Sequence, residues 1–209
     1  MSPNRSSAVM QQRKEPHDSL DFFPTPLWAT RALCEHVLGG GDALSMYDVW
    51  DPACGEGHMA RALGEYFAVV HASDVHPYGY GKVADFLRPG SEHIGARPSP
   101  DWIITNPPFR LGTDFVERAW DMATKGVAIL VRTAFLEGVE RYGRLYKNQP
   151  PTIIAQFTER VAMFKGRVDR LGSSATAYCW LVWTWNNGRS EFHWIPPCRK
   201  QLERDGDWA

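Results

Sequence analysis

The chain has 209 residues, of which 44% are hydrophobic and 22% charged, and a formal net charge of −1. That length suits one domain with a full hydrophobic core. Near-neutrality excludes a uniformly basic nucleic-acid coat, so contact with phosphates must come from a local patch.

Four cysteines, Cys34, Cys54, Cys179 and Cys198, stand without CxxC spacing. This argues against zinc, so no metal site is expected, and points to a reduced, cytoplasmic protein. No apolar run is long enough to span a membrane.

Residues 1–18 are polar, lack an apolar period and read as a loose arm; residues 19–209 then read as a single domain. In Asp21-Phe-Phe-Pro-Thr-Pro26, Thr25 is the expected N-cap and Pro26 the first residue of a helix that ends at Gly39-Gly-Gly41. Met46–Trp50 is a short buried strand running into the turn Asp51-Pro-Ala-Cys-Gly-Glu-Gly57, and a helix follows with Met59, Ala62, Leu63 and Tyr66 on one face. Ala68–Ser73 is a second strand ending at Asp74, and Trp102–Thr105 another, ending at Asn106-Pro-Pro-Phe109. Thr113 is placed to cap a helix, and Val127–Val131 is the next strand.

Near-continuous apolar strands alternating with helices indicate a parallel sheet covered on both faces. Two further strands, about 152–158 and 175–185, lack an intervening helix and fit an antiparallel hairpin. A strand–helix unit around Asp85–Pro100 is abbreviated. Trp180 and Trp183 are expected in the core.

In such a sheet, ligands bind beyond the carboxyl ends of the strands, where strand order reverses. Gly55 and Gly57 let backbone approach a ligand. Asp74, at the end of the next strand, is placed to accept hydrogen bonds from ribose hydroxyls. The turn is not GxGxxG, because position 60 is alanine. A carboxylate at Asp51 suits a cationic amino group better than a pyrophosphate. Asp85 and Phe86 together suit an adenine amino group and a purine face.

Asn106-Pro107-Pro108-Phe109 carries the expected chemistry. The two prolines remove backbone donors, which leaves the Asn106 amide oxygen and the Pro107 carbonyl to accept from one NH2 group. Such a pair favours a tetrahedral nitrogen with a free lone pair, as methyl transfer to a conjugated amine requires. Phe109 is placed to stack on a planar base. Between Arg132 and Arg170 eight basic residues face four acids, a modest bias suited to phosphates.

These stretches resemble the adenine-N6 DNA methyltransferases of bacteria and their phages, within the class I S-adenosylmethionine-dependent superfamily. The matching residues are Phe23–Pro26, Asp51–Gly57, Ser73-Asp74, Asp85-Phe86 and Asn106–Phe109, in about the first half of the chain. The resemblance implies a Rossmann-like α/β fold, with a seven-stranded, mostly parallel sheet and an antiparallel C-terminal hairpin. It implies S-adenosylmethionine as cofactor: Pro24, Thr25 and Asp51 with the turn residues Pro52, Ala53, Gly55 and Gly57 at its methionine end, Asp74 and Val75 at the ribose, and Asp85 and Phe86 at the adenine. Asn106, Pro107, Pro108 and Phe109 would hold the target base, with Arg132, Arg160 and Phe164 as further substrate contacts.

The implied partner is DNA, with RNA or a protein glutamine as alternative substrates and a non-catalytic cofactor-binding module as the rival of another class. The chain leaves little room for a separate target-recognition domain, so a short target or loose sequence specificity is expected.

Overall fold

A computed structural model of the chain describes residues 21–90, 99–185 and 189–208; the expected arm at 1–18 lies outside them. Eight strands form one sheet: β1 (Asp48–Asp51), β2 (Val69–Asp74), β3 (Lys82–Val83), β4 (Trp102–Thr105), β5 (Gly126–Arg132), β6 (Ile153–Phe157), β7 (Tyr178–Thr184) and β8 (Glu191–Ile195). Their order is β3-β2-β1-β4-β5-β7-β6-β8. The β1–β2, β1–β4, β2–β3 and β4–β5 pairs are parallel. β7 runs antiparallel to both β5 and β6, and β8 is parallel to β6. The expected hairpin is present, but eight strands replace the expected seven. β8 extends the sheet beyond the hairpin as an edge strand, and its outward Phe192 and Trp194 are exposed, so its pattern does not read as buried.

The helices are α1 (Leu27–His36), α2 (Gly41–Leu44), α3 (His58–Leu63), α4 (Gly112–Met122), α5 (Val139–Arg141) and α6 (Arg199–Leu202). Strand period two divides the sheet residues between two cores. Ala128 and Leu130 of β5, with Tyr178, Trp180 and Val182 of β7, join α1 and α3 on one face. Val127, Ile129 and Val131, with Cys179, Leu181 and Trp183, join α4 on the other. Trp180 and Trp183 are thus buried in opposite cores. Each indole N–H is satisfied by a carbonyl, Ala29 for Trp180 and Gln149 for Trp183, as buried Trp requires.

Two expected caps are absent. Pro26, not Thr25, occupies the N-cap of α1, and Leu111, not Thr113, that of α4; neither start has a side-chain cap bond. The Thr25 hydroxyl is bound elsewhere, as described below. The abbreviated unit near Asp85 begins earlier, as the two-residue β3; residues 91–98 lie outside the described residues. Among the described residues, no helix is long and apolar enough to cross a membrane.

Candidate functional site

Strand order reverses between β1 and β4, and the two characteristic turns leave the carboxyl ends of these neighbouring strands. The glycine turn is held from several sides. The Cys54 N–H bonds the Ser73 carbonyl at 2.9 Å and the Gly57 N–H bonds the Cys54 carbonyl at 2.8 Å. Asp74 accepts from the Gly55 N–H at 2.9 Å through one oxygen and from the His76 N–H at 3.0 Å through the other. Each carboxylate oxygen keeps acceptor capacity beyond these bonds. Val75, the next residue, is exposed.

Gly55 and Gly57 have φ of +50° and +83°, a region costly for side-chain-bearing residues. A Cβ at Gly55 would lie 2.4 Å from the Phe22 ring, and one at Gly57 2.5 Å from the Tyr80 ring. The missing side chains therefore make room for rings of the chain itself. Phe22 also stacks on Tyr78, with centroids 4.7 Å apart.

Asp51 is fully buried at the end of β1. Its Oδ1 accepts from the Thr105 hydroxyl at 2.7 Å and the Ala53 N–H at 3.4 Å. Burial pushes its carboxyl up to about 7; the Thr105 and Ala53 bonds oppose that rise, and Asp74 adds to it. No cation pairs with it among the described residues, so this carboxylate is poised to gain from a positive ligand group.

The Asn106–Phe109 turn is tied to residues 21–25. The Asn106 Nδ2 donates to the Phe23 carbonyl at 2.9 Å and to the Thr25 Oγ1 at 3.1 Å, and lies 3.8 Å from the Met163 sulfur. The Phe23 carbonyl only accepts, so the amide orientation is fixed: nitrogen toward Phe23, oxygen away. Among the described residues, no donor reaches the Asn106 Oδ1. The Phe109 N–H donates to the Asp21 carboxylate at 2.7 Å, and the Pro108 carbonyl is taken by the Leu111 N–H. Pro107 is buried.

Residues 21–25 thus bridge both turns, with the Phe22 ring on Gly55 and the Phe23 carbonyl on Asn106. A loop joins them from the far hairpin, since the Gly166 N–H bonds the Phe22 carbonyl at 2.9 Å.

The other expected residues are placed less uniformly. Phe86 is 2% exposed and packs in the core against Trp50 and Phe115, with centroids 5.1 and 4.9 Å away. Asp85 is exposed and accepts the Leu87 N–H. Arg132 stacks on Phe109, with the guanidinium carbon 3.8 Å from the ring centroid. One face of the Phe109 ring is thus covered by a guanidinium. Phe164 lies in the 161–167 loop, packed so closely on Gly172 that a Cβ there would be 2.1 Å from its ring. Arg160 is exposed and is not joined to Asn106 by any contact among the described residues. Asp21, Phe22, Thr105 and Met163 complete the site without having been expected there.

No protein-family model matches the chain, and no curated protein matches its sequence. Solved structures do match in fold. A type I restriction-modification methyltransferase subunit from Streptococcus thermophilus superposes with a TM-score of 0.62 at 11% identity, over 89% of this chain and 49% of that one. The modification subunit of a candidate type I restriction enzyme from Vibrio vulnificus gives 0.55 at 15%, over 89% and 51%. A candidate RNA methyltransferase from Pyrococcus horikoshii gives 0.57 at 15%, over 85% and 94%. This chain spans about half the length of the first two. The fold is that of the Rossmann-like class I methyltransferases.

Proposed function

We propose that the chain is an S-adenosylmethionine-dependent methyltransferase that transfers a methyl group to the exocyclic amino group of adenine in DNA. One observation carries this reading: the Asn106 Nδ2 is anchored by the Phe23 carbonyl and the Thr25 hydroxyl, which leaves the amide oxygen free to accept, one residue before the Pro107 carbonyl in the chain. Two acceptors on one turn fit the two hydrogens of a conjugated NH2. They hold that nitrogen and favour the pyramidal form in which its lone pair is available.

The residues around the glycine turn fit the cofactor. Asp51 is a buried carboxylate without a cation, suited to an α-amino group. Asp74, beside the glycine turn, retains acceptor capacity for ribose hydroxyls. Bound there, S-adenosylmethionine supplies an electrophilic methyl group. Residues 21–25 position Asn106 through its amide nitrogen.

The direct test is incubation of DNA with methyl-labelled cofactor followed by nucleoside analysis. Label is expected in N6-methyladenine; label confined to RNA or protein would remove the DNA claim, and label in none of them would remove the enzyme.

A pH dependence follows from Asp51. Its carboxyl, pushed up to about 7 by burial, is ionised above that pH and neutral below it. Affinity for a cationic amino group is therefore expected to fall as pH drops through about 7, approaching on the order of tenfold per unit. Asp51→Asn should bind more weakly and with a flat profile. Calorimetric titration of S-adenosylmethionine across pH measures both, and a flat profile in the parent protein would dissociate Asp51 from the cofactor.

A further inference from the structure

The basic bias between Arg132 and Arg170 is sorted by the fold into neutralised and unneutralised charges. Arg144 is held by Asp114 at 2.7 Å and Glu117 at 2.6 Å, with Glu140 at 3.6 Å. Arg170 pairs with Glu203 and Asp205, and Arg167 with Asp169. Arg132 and Arg141 pair with no carboxylate among the described residues. These two guanidiniums line one cleft of about 180 Å³ whose wall includes Pro107 and Phe109 of the reactive turn, and no acidic residue lines it.

Both guanidiniums are held by aromatic rings. Arg132 lies 3.8 Å from the Phe109 centroid and Arg141 4.6 Å from that of Phe135. Gly112 lets Phe135 seat there, since a Cβ would lie 2.9 Å from the ring. The Arg141 Nε donates to the Glu137 carbonyl at 2.9 Å, as does one of its Nη atoms, which fixes the fork. Stacking covers the flat face of a guanidinium and leaves in-plane N–H groups to meet an anion. Two positive charges lining one cleft without a counter-charge repel each other, and an anion between them relieves that repulsion.

We propose that this cleft binds a phosphodiester flanking the target nucleotide, with Arg141, alongside Arg132, as its ligand. The inference rests on the nucleic-acid reading above and adds Arg141 and the Phe135 side of the cleft to the substrate site.

The test is fluorescence anisotropy of a labelled DNA oligonucleotide titrated with the parent protein, Arg141→Gln and Arg141→Lys over a series of salt concentrations. Far-ultraviolet dichroism and thermal melts serve to match the folds. The slope of log affinity against log salt is expected to become shallower by about 1 in Arg141→Gln, the loss of one phosphate contact. Arg141→Lys should keep the parent slope while binding several-fold more weakly, because it retains charge but loses the fork.

Identical slope and affinity in parent and Arg141→Gln overturn the cleft, as does a parent that does not bind the oligonucleotide. The binding readout is independent of methyl transfer. A shallower slope without label in adenine keeps the cleft and removes the adenine reading; label in adenine with no effect at Arg141 does the reverse.

Discussion

Replacing Asn106 with alanine is expected to slow methyl transfer by on the order of 10²–10³-fold and to leave S-adenosylmethionine affinity within about twofold. The substitution removes the amide oxygen proposed to accept from the target amine. It also leaves the Phe23 carbonyl and the Thr25 hydroxyl without the donor that now joins them to the Asn106–Phe109 turn. Thr25→Val separates these two effects. It keeps the Asn106 oxygen but removes one of the two acceptors that aim it, so a smaller loss of about tenfold in rate is expected, in line with other supporting contacts of a reacting group. Asp74→Ala should behave in the opposite way. Asp74 holds Gly55 and His76, and its loss should weaken cofactor binding while the single-turnover rate at saturation changes little. Calorimetry paired with single-turnover kinetics distinguishes the three variants. Equal losses of affinity and rate in Asn106→Ala and Asp74→Ala would show that the two turns do not divide the work as proposed.

What the sequence reveals of this arrangement is what chain neighbours determine. The glycine turn, the acid ending the second strand and the Asn-Pro-Pro-Phe run are short local patterns, and the alternation of strands and helices around them places both turns at one end of the sheet. Contacts between segments far apart in sequence are not legible in this way. Asp21 and Phe109 are separated by 88 residues, Asn106 and Phe23 by 83, and Asn106 and Met163 by 57. Nothing in the local composition of Asp21-Phe22-Phe23 announces that it will hold the Asn-Pro-Pro-Phe turn. Thr25 shows the cost of local reasoning: before Pro26 it has the pattern of a helix cap, yet its hydroxyl is bound by a residue 81 positions away. The burial of Phe86 is hidden from the sequence for a related reason. An aromatic directly after an acid suggests a ligand-stacking face, whereas Trp50 of β1 and Phe115 of α4 pack against the ring from elements far from it in sequence. β8 is not legible because Phe192 and Trp194 are exposed and only Ile195 at its end is buried, so period two carries little burial signal there.

Arg31→Ala is expected to destabilise the fold by about 3–5 kcal/mol, a drop in melting temperature of roughly 6–20 °C for a chain of this size. Arg31 lies on α1 and is 2% exposed. Its guanidinium donates to both oxygens of Glu65, to both of Asp207 and to the Leu202 carbonyl, at 2.6 to 2.9 Å. Burial alone would lower its pKa, but the bonds to Asp207 and Glu65 raise it instead, so it stays charged throughout. It thereby fastens α1 to the segment after α3 and to residues 202–207, at the far end of the chain. Truncation leaves the Asp207 carboxylate, 7% exposed, without its main partner, and that uncompensated charge accounts for most of the expected loss.

The sign of the pH effect follows from Asp207. Burial would raise its carboxyl, but the bonds from Arg31 and the Arg204 N–H hold it below the ordinary range. Its contribution is therefore present above the unfolded aspartate value of about 4 and is lost as pH falls through the lower folded value. The stability gap between parent and Arg31→Ala should accordingly be widest near neutrality and narrow in acid, as Asp207 becomes neutral in both proteins. Arg31→Met combined with Asp207→Leu should recover much of the loss, because it removes the stranded charge together with its partner. Urea midpoints measured from neutral to acid pH decide the matter: a gap that does not change with pH would mean that Arg31 acts through packing of its stem rather than through the ion pair.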